Sequence, residues 1–476
     1  MFEKLHEECG VFGVWYPREA DVAADAYMAL YALQHRGQES CGIAVNRDGV
    51  ITVHKDLGLV PDVFNKDVLD KLGLGRMAVG HVRYSTTGKP IRSNAQPLVV
   101  RHVKGTMALA HNGNLTNALE LREELELGGA IFHTTNDTEV ISYIITSERL
   151  KAGSIEEAVD GAMNRLKGAY SLVIMSPQKL IAARDPDGFR PLCMGKMGDA
   201  YVFASESCAL DSIGAHFIRD IDPGEIVICD NAGVRSIRSH CGKEGTLCVF
   251  EFVYFARPDS VIEGASVHEA RQRAGAYLAL EHPVQADVVI GVPDSGLDAA
   301  LGYAKQTGIP YGVGFIKNRY VGRTFIQPTQ GQREKSVRIK LNALAATVEG
   351  KRVVLVDDSI VRGTTSARIV SLLREAGATE GHMRISSPPF VDVCYFGTDV
   401  DSRDNLIACQ MSIDEIRKKI GADSLGYLSV SDVQKIASGA RCKFCTGCFT
   451  GQYPVEVPGE VPKDKFENAI PADKKK

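Results

Sequence analysis

The sequence predicts two domains of different class, an α+β domain of packed antiparallel sheets followed by an α/β domain with a parallel sheet. Three observations carry this. Short strand-sized apolar runs dominate up to about residue 240, strand–loop–helix alternation takes over after about residue 260, and the polar stretch RSHCGKEG (238–245) lies between them as a linker. At 476 residues the chain has room for two or three domains of roughly 150 residues.

In the first half the predicted strands are VFGVW (11–15), GIAV (42–45), MAVGHV (77–82), MALAH (107–111), YSLVIM (170–175) and YVFA (201–204). One helix is predicted after Asp21. Another follows TNDTE (135–139), where Asn136 and Glu139 have capping-box spacing before VISYIITSERL. In the second half a helix (267–281) leads to the strand ADVVIGV, the turn PDSG, a helix (297–307) and the strand IPYGVGF (309–315). Later KRVVLVDD runs into SIVRGTTSARIVSLLREAG. Parallel strands need such helical crossovers. There are no internal repeats, and the lysine-rich end PADKKK reads as a solvated tail.

Bulk composition excludes several classes. Lys plus Arg number 55 against 59 Asp plus Glu, so no basic surplus points to nucleic acid. No apolar run approaches the ~18–20 residues of a membrane helix. The start MFEKLHEE has no apolar secretory core, which implies the cytoplasm and reduced thiols. The twelve cysteines then read as core residues, a nucleophile and metal ligands.

The strongest local signal is VVLVDDSIVRGTTS (353–366). A buried strand delivers Asp357 and Asp358 at its carboxyl end, where open α/β sheets bind ligands. Arg362, Gly363, Thr364, Thr365 and Ser366 then form a turn opening into a helix. Gly363 permits close backbone approach to a phosphate, the hydroxyls add donors, and the helix start favours negative charge. An arbitrary Asp-Asp-Ser would be no more than a strand and a helix cap. The full string resembles the PRPP-binding signature of type I phosphoribosyltransferases. The resemblance implies that PDSG (293–296) binds the pyrophosphate end of PRPP, and that Ser295, Asp357 and Asp358 lie at a Mg²⁺ ion. It also implies a lid in KNRYVGRTFIQPTQ (317–330), carrying Lys317, Arg319 and Arg323, with Arg338, Lys340 and Asn342 as further members.

The N-terminal half carries EECGVFGVW (7–15), ALQHRGQESCGIAV (32–45), GHVRYSTTG (80–88), AHNGNL (110–115), TNDTE (135–139) and ARDPDGFRPL (183–192). Together they resemble the glutaminase domain of N-terminal-nucleophile amidotransferases. Attack on an amide needs a nucleophile, a base and an oxyanion site. Cys9 matches the nucleophile, Asn112 and Gly113 the oxyanion donors, Arg83 the clamp on the glutamine carboxylate and Asp137 the partner of its ammonium. A free α-amine on Cys9, titrating at about 7.7–8.0, would serve as the base. The resemblance therefore implies a propeptide, residues 1–8, cleaved between Glu8 and Cys9. Taken singly, Cys9 is also a plausible core residue, Arg83 a surface ion pair, Asp137 a helix cap and Asn112–Gly113 a type I′ turn.

RCKFCTGCFTGQYP (441–454) packs Cys442, Cys445 and Cys448 at C-x₂-C-x₂-C spacing, which in isolation suits zinc or an iron–sulfur centre. Taken together, the two halves resemble glutamine PRPP amidotransferases of the propeptide-bearing, iron–sulfur type. The resemblance implies a structural [4Fe–4S] cluster on Cys248, Cys394, Cys445 and Cys448, with Cys442 as a substitute within the triplet. Cys41, Cys193, Cys208, Cys229, Cys241 and Cys409 read as ordinary core or loop residues.

The implied fold is an N-terminal-nucleophile αββα sandwich (9–240) followed by a type I phosphoribosyltransferase sheet (241–476). The implied reaction takes glutamine and PRPP to 5-phosphoribosylamine, glutamate and pyrophosphate, the first committed step of purine synthesis. Inhibition by purine nucleotides, a homotetramer, and no nucleic-acid or membrane partner complete the expectation. Two alternatives are a PRPP-sensing regulator with a dead glutaminase half, and a glutamine amidotransferase with another acceptor.

Overall fold

Period-two alternation in the strands of the first half sorts their side chains between two different cores. On Gly10–Ala20 (β1), Val11 and Trp15 enter one cluster while Phe12 and Val14 enter another. The same division runs along Gly168–Met175 (β7), where Val173 and Met175 oppose Tyr170, Leu172 and Ile174. Strands buried on both faces need sheets covered on both sides. The computed structural model, which describes residues 9–84, 91–318, 341–400 and 402–459, shows that arrangement.

A seven-stranded antiparallel sheet has the order β11-β9-β10-β1-β4-β2-β3. It consists of β1, Ser40–Arg47 (β2), Val50–Leu57 (β3), Gly75–Arg83 (β4), Cys193–Met197 (β9), Ala200–Ala204 (β10) and His216–Asp220 (β11). A six-stranded antiparallel sheet has the order β13-β12-β8-β7-β6-β5. Its members are Leu98–His102 (β5), Gly105–Leu115 (β6), β7, Leu180–Arg184 (β8), Ile226–Asp230 (β12) and Gly233–Ile237 (β13).

Val11, Trp15, Ala44, Val79, Val173 and Phe203 fill the layer between the sheets. Helices Val22–Ala32 (α1), Val60–Val63 (α2), Lys66–Leu72 (α3) and Ser207–Ser212 (α7) cover the outer face of the first sheet. Ala118–Leu127 (α4), Asp137–Lys151 (α5) and Ile155–Met163 (α6) cover the second. This is the αββα sandwich expected from the sequence. Asp21 caps α1 by accepting from Ala24 N at 3.1 Å. Asn136 caps α5, but Glu139 completes no capping box. Its carboxylate turns instead to the backbone N–H groups of His133 and Thr134.

Residues 238–245 carry neither helix nor strand. Beyond them Thr246–Cys248 (β14) pairs in parallel with Lys443–Cys445 (β23), each residue meeting the one 197 positions on. The short pair Val261–Ile262 (β15) and Ala265–Ser266 (β16) leads to Val267–Glu281 (α8), and Leu297–Thr307 (α9) packs against α8. The second sheet system is parallel, order β17-β20-β21-β22, from Val288–Gly291 (β17), Arg352–Asp357 (β20), Glu380–Ile385 (β21) and Ser424–Tyr427 (β22). Val289, Val354 and Val356 face α8 and α9, while Ile290 and Leu355 face the helix Thr364–Glu375. The expected parallel α/β domain is thus present.

The strand predicted over 309–315 is not continuous. Tyr311 makes one parallel bridge to Val289, and the chain then forms Phe315–Lys317 (β18) against Leu341–Ala343 (β19). Pro310 has no N–H to donate, and Gly312 and Gly314 offer no side chains to pack, so the run stays at an edge.

Candidate active site

Cys9 sits at the head of β1, 8% exposed, with its Sγ 3.5 Å from the carbonyl oxygen of Tyr84. Gly10 pairs with Val82 on β4, which brings Arg83, at the end of β4, to the same end of the sheet as Cys9. Arg83 is 3% exposed, so it is no surface ion pair. Burial lowers its proton affinity, while the charges of Cys9, Glu39 and Asp137 pull it back upward. Glu39 stands 4.0 Å from Arg83 Nη1.

Asn112 and Gly113 are not a turn. They lie inside β6, opposite Ser171 and Tyr170 of β7. Gly113 has φ +142°, and a Cβ there would lie 2.2 Å from the Ala169 carbonyl oxygen, so the position excludes every side chain. The buried Asn112 amide makes one long contact, Nδ2 to Ser205 Oγ at 3.5 Å, and its Oδ1 has no partner. Asp137 is the first helical residue of α5, and Asn136 does the capping. One Asp137 oxygen accepts from Leu115 N at 2.9 Å and the other lies 3.4 Å from His111 Nδ1. A thiol, an amide donor, a strand glycine, a cation and a carboxylate therefore converge at one end of the sandwich.

The expectations from sequence missed what holds this end in place. Arg36, fully buried after α1, donates from Nε to the Cys9 carbonyl oxygen at 2.9 Å. Its Nη1 meets Glu206 at 2.7 Å and Glu251 at 2.8 Å, and its Nη2 meets Glu251 at 2.8 Å. Glu251 also accepts from Arg190 at 3.3 Å. Glu206 reaches the later half through Arg257 N at 2.9 Å and Ser260 Oγ at 2.7 Å. Burial opposes ionisation of Glu251, yet Arg36 and Arg190 hold its carboxyl below the ordinary carboxylate range. A glutamate inside the apolar run FEFVYF was the available signal. The ARDPDGFRPL segment serves the same junction. Asp185 accepts from the N–H groups of Asp187, Gly188 and Phe189, and Arg190 donates to the Phe396 carbonyl at 2.9 Å.

The second candidate site, expected to take phosphate, lies at the carboxyl edge of the parallel sheet. From β17 the chain goes to Tyr311 on one side and to β20 on the other, so the crevice between β17 and β20 is a topological switch point. Both expected loops meet there. Ser295 Oγ donates to Asp358 Oδ2, Ser359 Oγ donates to Asp358 Oδ1 at 2.5 Å, and Asp358 N donates to Asp357 Oδ1 at 3.0 Å. Asp357 and Asp358 are each 1% exposed. Neither caps the following helix. That cap is Gly363, at φ +80°, where a Cβ would meet Ile407 at 2.8 Å. Arg362 and Thr364 are exposed, Thr365 and Ser366 buried, and the Thr365 hydroxyl has no partner. Lys317 Nζ reaches Asp294 in the PDSG turn at 2.6 Å. Asn342 lies on β19, opposite Ile316. Arg319, Arg323, Arg338 and Lys340, and the segments 1–8 and 85–90, lie outside the described residues.

The cysteines separate into two groups. Cys248 and Cys445 are direct partners across the β14–β23 ladder. The Cys448 carbonyl accepts from Val391 and Asp392, three and two residues before Cys394. Burial first, then Cys394, Cys248 and Cys445, push the Cys448 thiol well above its ordinary range. Cys442 faces Glu263, Arg184 and Asp220 instead, and burial pushes it up to about 12. Among the described residues no three His, Cys, Asp or Glu side chains converge on one point that a single ion would occupy. Nor is any helix among them long and apolar enough to cross a membrane.

Comparison with known proteins adds the following. Residues 81–212 match the glutamine amidotransferase domain and residues 269–386 the phosphoribosyl transferase domain. The chain is similar to the amidophosphoribosyltransferase of Bacillus subtilis, 50% identical over 458 residues, 95% of each chain. It is also similar to that of Archaeoglobus fulgidus, 48% identical, covering 95% of this chain and 99% of the other. A solved structure described as the allosteric regulatory enzyme of purine biosynthesis superposes with a TM-score of 0.90 at 48% identity, covering 97% of this chain and 99% of the other. The B. subtilis glutamine PRPP amidotransferase complexed with ADP and GMP superposes at 0.88 and 49% identity, covering 95% of this chain and 99% of that one.

Proposed function

The chain belongs to the amidophosphoribosyltransferase family, and from that premise we propose how its residues divide the work. It is an enzyme that converts glutamine and PRPP to 5-phosphoribosylamine, glutamate and pyrophosphate, the first step of purine biosynthesis. Neither the regulator nor the other-acceptor alternative gains support.

Cys9 attacks the glutamine carboxamide and becomes acylated, and water later releases glutamate. The oxyanion is met by the Asn112 amide, whose single long contact leaves a donor available, and by the Gly113 N–H. Arg83 takes the substrate carboxylate and Asp137 its ammonium. The observation carrying this reading is the convergence of those five residues, drawn from four separate segments, on one buried end of the sandwich. The Cys9 α-amine acts as base once residues 1–8 have been removed. Ammonia released there then displaces pyrophosphate from C1 of PRPP in the β17–β20 crevice. The Gly363 turn and the orphaned Thr365 hydroxyl offer donors to the phosphate, and Lys317 closes on the PDSG turn.

Ser295, Asp357 and Asp358 would hold Mg²⁺, an ion that takes one or two carboxylates and otherwise keeps water and substrate oxygens, so a site with few protein ligands suits it. Bound there, it supplies positive charge to the departing pyrophosphate. Cys248, Cys394, Cys445 and Cys448 would hold a [4Fe–4S] cluster. What supports this set is the pairing of Cys248 with Cys445 across β14 and β23, and the hydrogen bonds from Val391 and Asp392, just ahead of Cys394, to the Cys448 carbonyl. Cys442 is outside the set. The residues split as 1–8 propeptide, 9–240 glutaminase and 241–476 transferase. Purine nucleotides would inhibit, as the ADP and GMP complex of the B. subtilis relative suggests. The enzyme would work in the cytoplasm as a homotetramer.

Intact mass, iron and acid-labile sulfide of anaerobically purified protein test the finer claims together. The expected result is a chain beginning at Cys9 with iron and sulfide in equal amounts near four each. Full activity in a chain retaining residues 1–8, or zinc in place of iron, overturns them.

A further inference from the structure

The strongest unassigned feature is the buried ionic junction around Arg36. Its guanidinium is the donor to the Cys9 main chain (Nε to the carbonyl oxygen at 2.9 Å). It is gripped on its other edge by Glu251, through two bonds of 2.8 Å. Glu251 belongs to the chain beyond residue 245, on a turn of π-helix from Glu251 to Phe255. A single π-helical turn is a conformation that recurs at functional positions. The same turn is tied to the transferase half. Arg271 of α8 donates to the carbonyls of Phe252 at 2.8 Å, Tyr254 at 2.8 Å and Ala256 at 2.7 Å, and α8 packs on α9, which opens directly after Ser295. Arg36 and Glu251 are both 0% exposed, so water cannot substitute for either partner.

We propose that Arg36 and Glu251 are positioning residues for the glutaminase reaction, by which the transferase half sets the backbone of the nucleophile. Neither touches glutamine. Arg36 fixes the Cys9 carbonyl and with it the direction of the thiol and the α-amine, and Glu251 fixes Arg36. Glutamine itself is held by Arg83 and Asp137, so disturbing the pair alters turnover and leaves substrate affinity alone. The inference rests on the assignment of Cys9 as nucleophile.

The test compares the full-length wild-type enzyme with Glu251→Gln, at saturating PRPP. Glutamate release is measured with glutamine, and pyrophosphate release with an ammonium salt at alkaline pH, a reaction that bypasses Cys9. Displacing a reacting group by about an ångström costs up to roughly 10²-fold in rate. The expected result is therefore a ~10- to 100-fold lower kcat for glutamine, an unchanged KM for glutamine, and full ammonia-supported activity. Unchanged kcat, a rise in KM alone, or loss of the ammonia reaction as well would each overturn the proposal. Should the Gln variant not accumulate as folded protein, Glu251→Asp carries the test. It keeps the charge at shorter reach, and the same split between kcat and KM is required of it. A separate control, Cys9→Ser, isolates the premise: glutamate release surviving that change would overturn the nucleophile and not the pair.

Discussion

At the residue scale, the oxyanion donors should affect turnover and the zwitterion partners should affect affinity. Asn112→Ala removes one preorganised donor, and the expected loss in kcat is about 10²- to 10³-fold with little change in KM for glutamine. Asp137→Asn leaves the Leu115 N–H contact feasible but removes the charge that faces the substrate ammonium. Steady-state kinetics should show a raised KM for glutamine at nearly constant kcat. If both variants changed the same parameter, the division of roles would be wrong.

His81 gives a prediction with a definite sign. Burial pushes its proton affinity down, to a pKa of about 3, although its Nε2 sits 2.9 Å from the His111 carbonyl. In the unfolded chain the imidazole titrates near its ordinary value of about 6.5. Between those limits the unfolded state binds the extra proton, so folding stability falls as pH falls, by about 1.4 kcal/mol per pH unit for this one group. The contribution is fully present above the unfolded pKa. Calorimetry of His81→Gln and the wild type at pH 7 and pH 5 should show a smaller acid-induced drop in Tm for the variant. An equal drop would mean the folded imidazole protonates normally.

At the scale of elements, strand pairing makes the proposed cysteine assignment testable. The β14–β23 ladder places Cys248 against Cys445, whereas Cys442 precedes β23 and feels the charges of Glu263 and Asp220. Cys442→Ser should keep iron and the brown colour, whereas Cys248→Ser should lose both. Iron analysis that gave the opposite pattern would show that the triplet had slipped by one position.

The same scale shows what was legible in the sequence. Contiguous strings such as VVLVDDSIVRGTTS announce strand, loop and helix together, because the proposed phosphate cradle is built from local geometry alone. The residues proposed for glutamine were also picked out in sequence, as each sits in a short distinctive segment. Arg36, Glu206, Glu251 and Arg190 were not. Their junction assembles from four distant segments, and only Glu251, set inside the apolar run FEFVYF, carried a local signal of burial. The edge strands β3 and β11 escaped notice because they are largely exposed and lack a clean alternation of buried and exposed residues. The break at 309–315 depended on Pro310 and two glycines within an apolar run.

At the scale of the whole molecule, the two halves are joined by buried contacts. Asn114, two residues from the oxyanion amide, donates to the Tyr395 carbonyl at 2.8 Å, and Phe189 stacks on Phe396 at 4.1 Å. The segment from Ser386 to Gly397 starts against Asp357 at the phosphate end and finishes against Gly113 at the glutamine end. Two chemistries so connected should run as one. Free ammonia in water is protonated and unreactive, so a coupled enzyme delivers it internally.

The most direct test is product release by anaerobically purified enzyme given glutamine, PRPP and Mg²⁺ singly and together. Glutamate and pyrophosphate released in equal amounts, and only when both substrates are present, is the expected result. Glutamate released without pyrophosphate in the presence of all three would contradict the account, because the crevice between β17 and β20 would then not be where the ammonia is used.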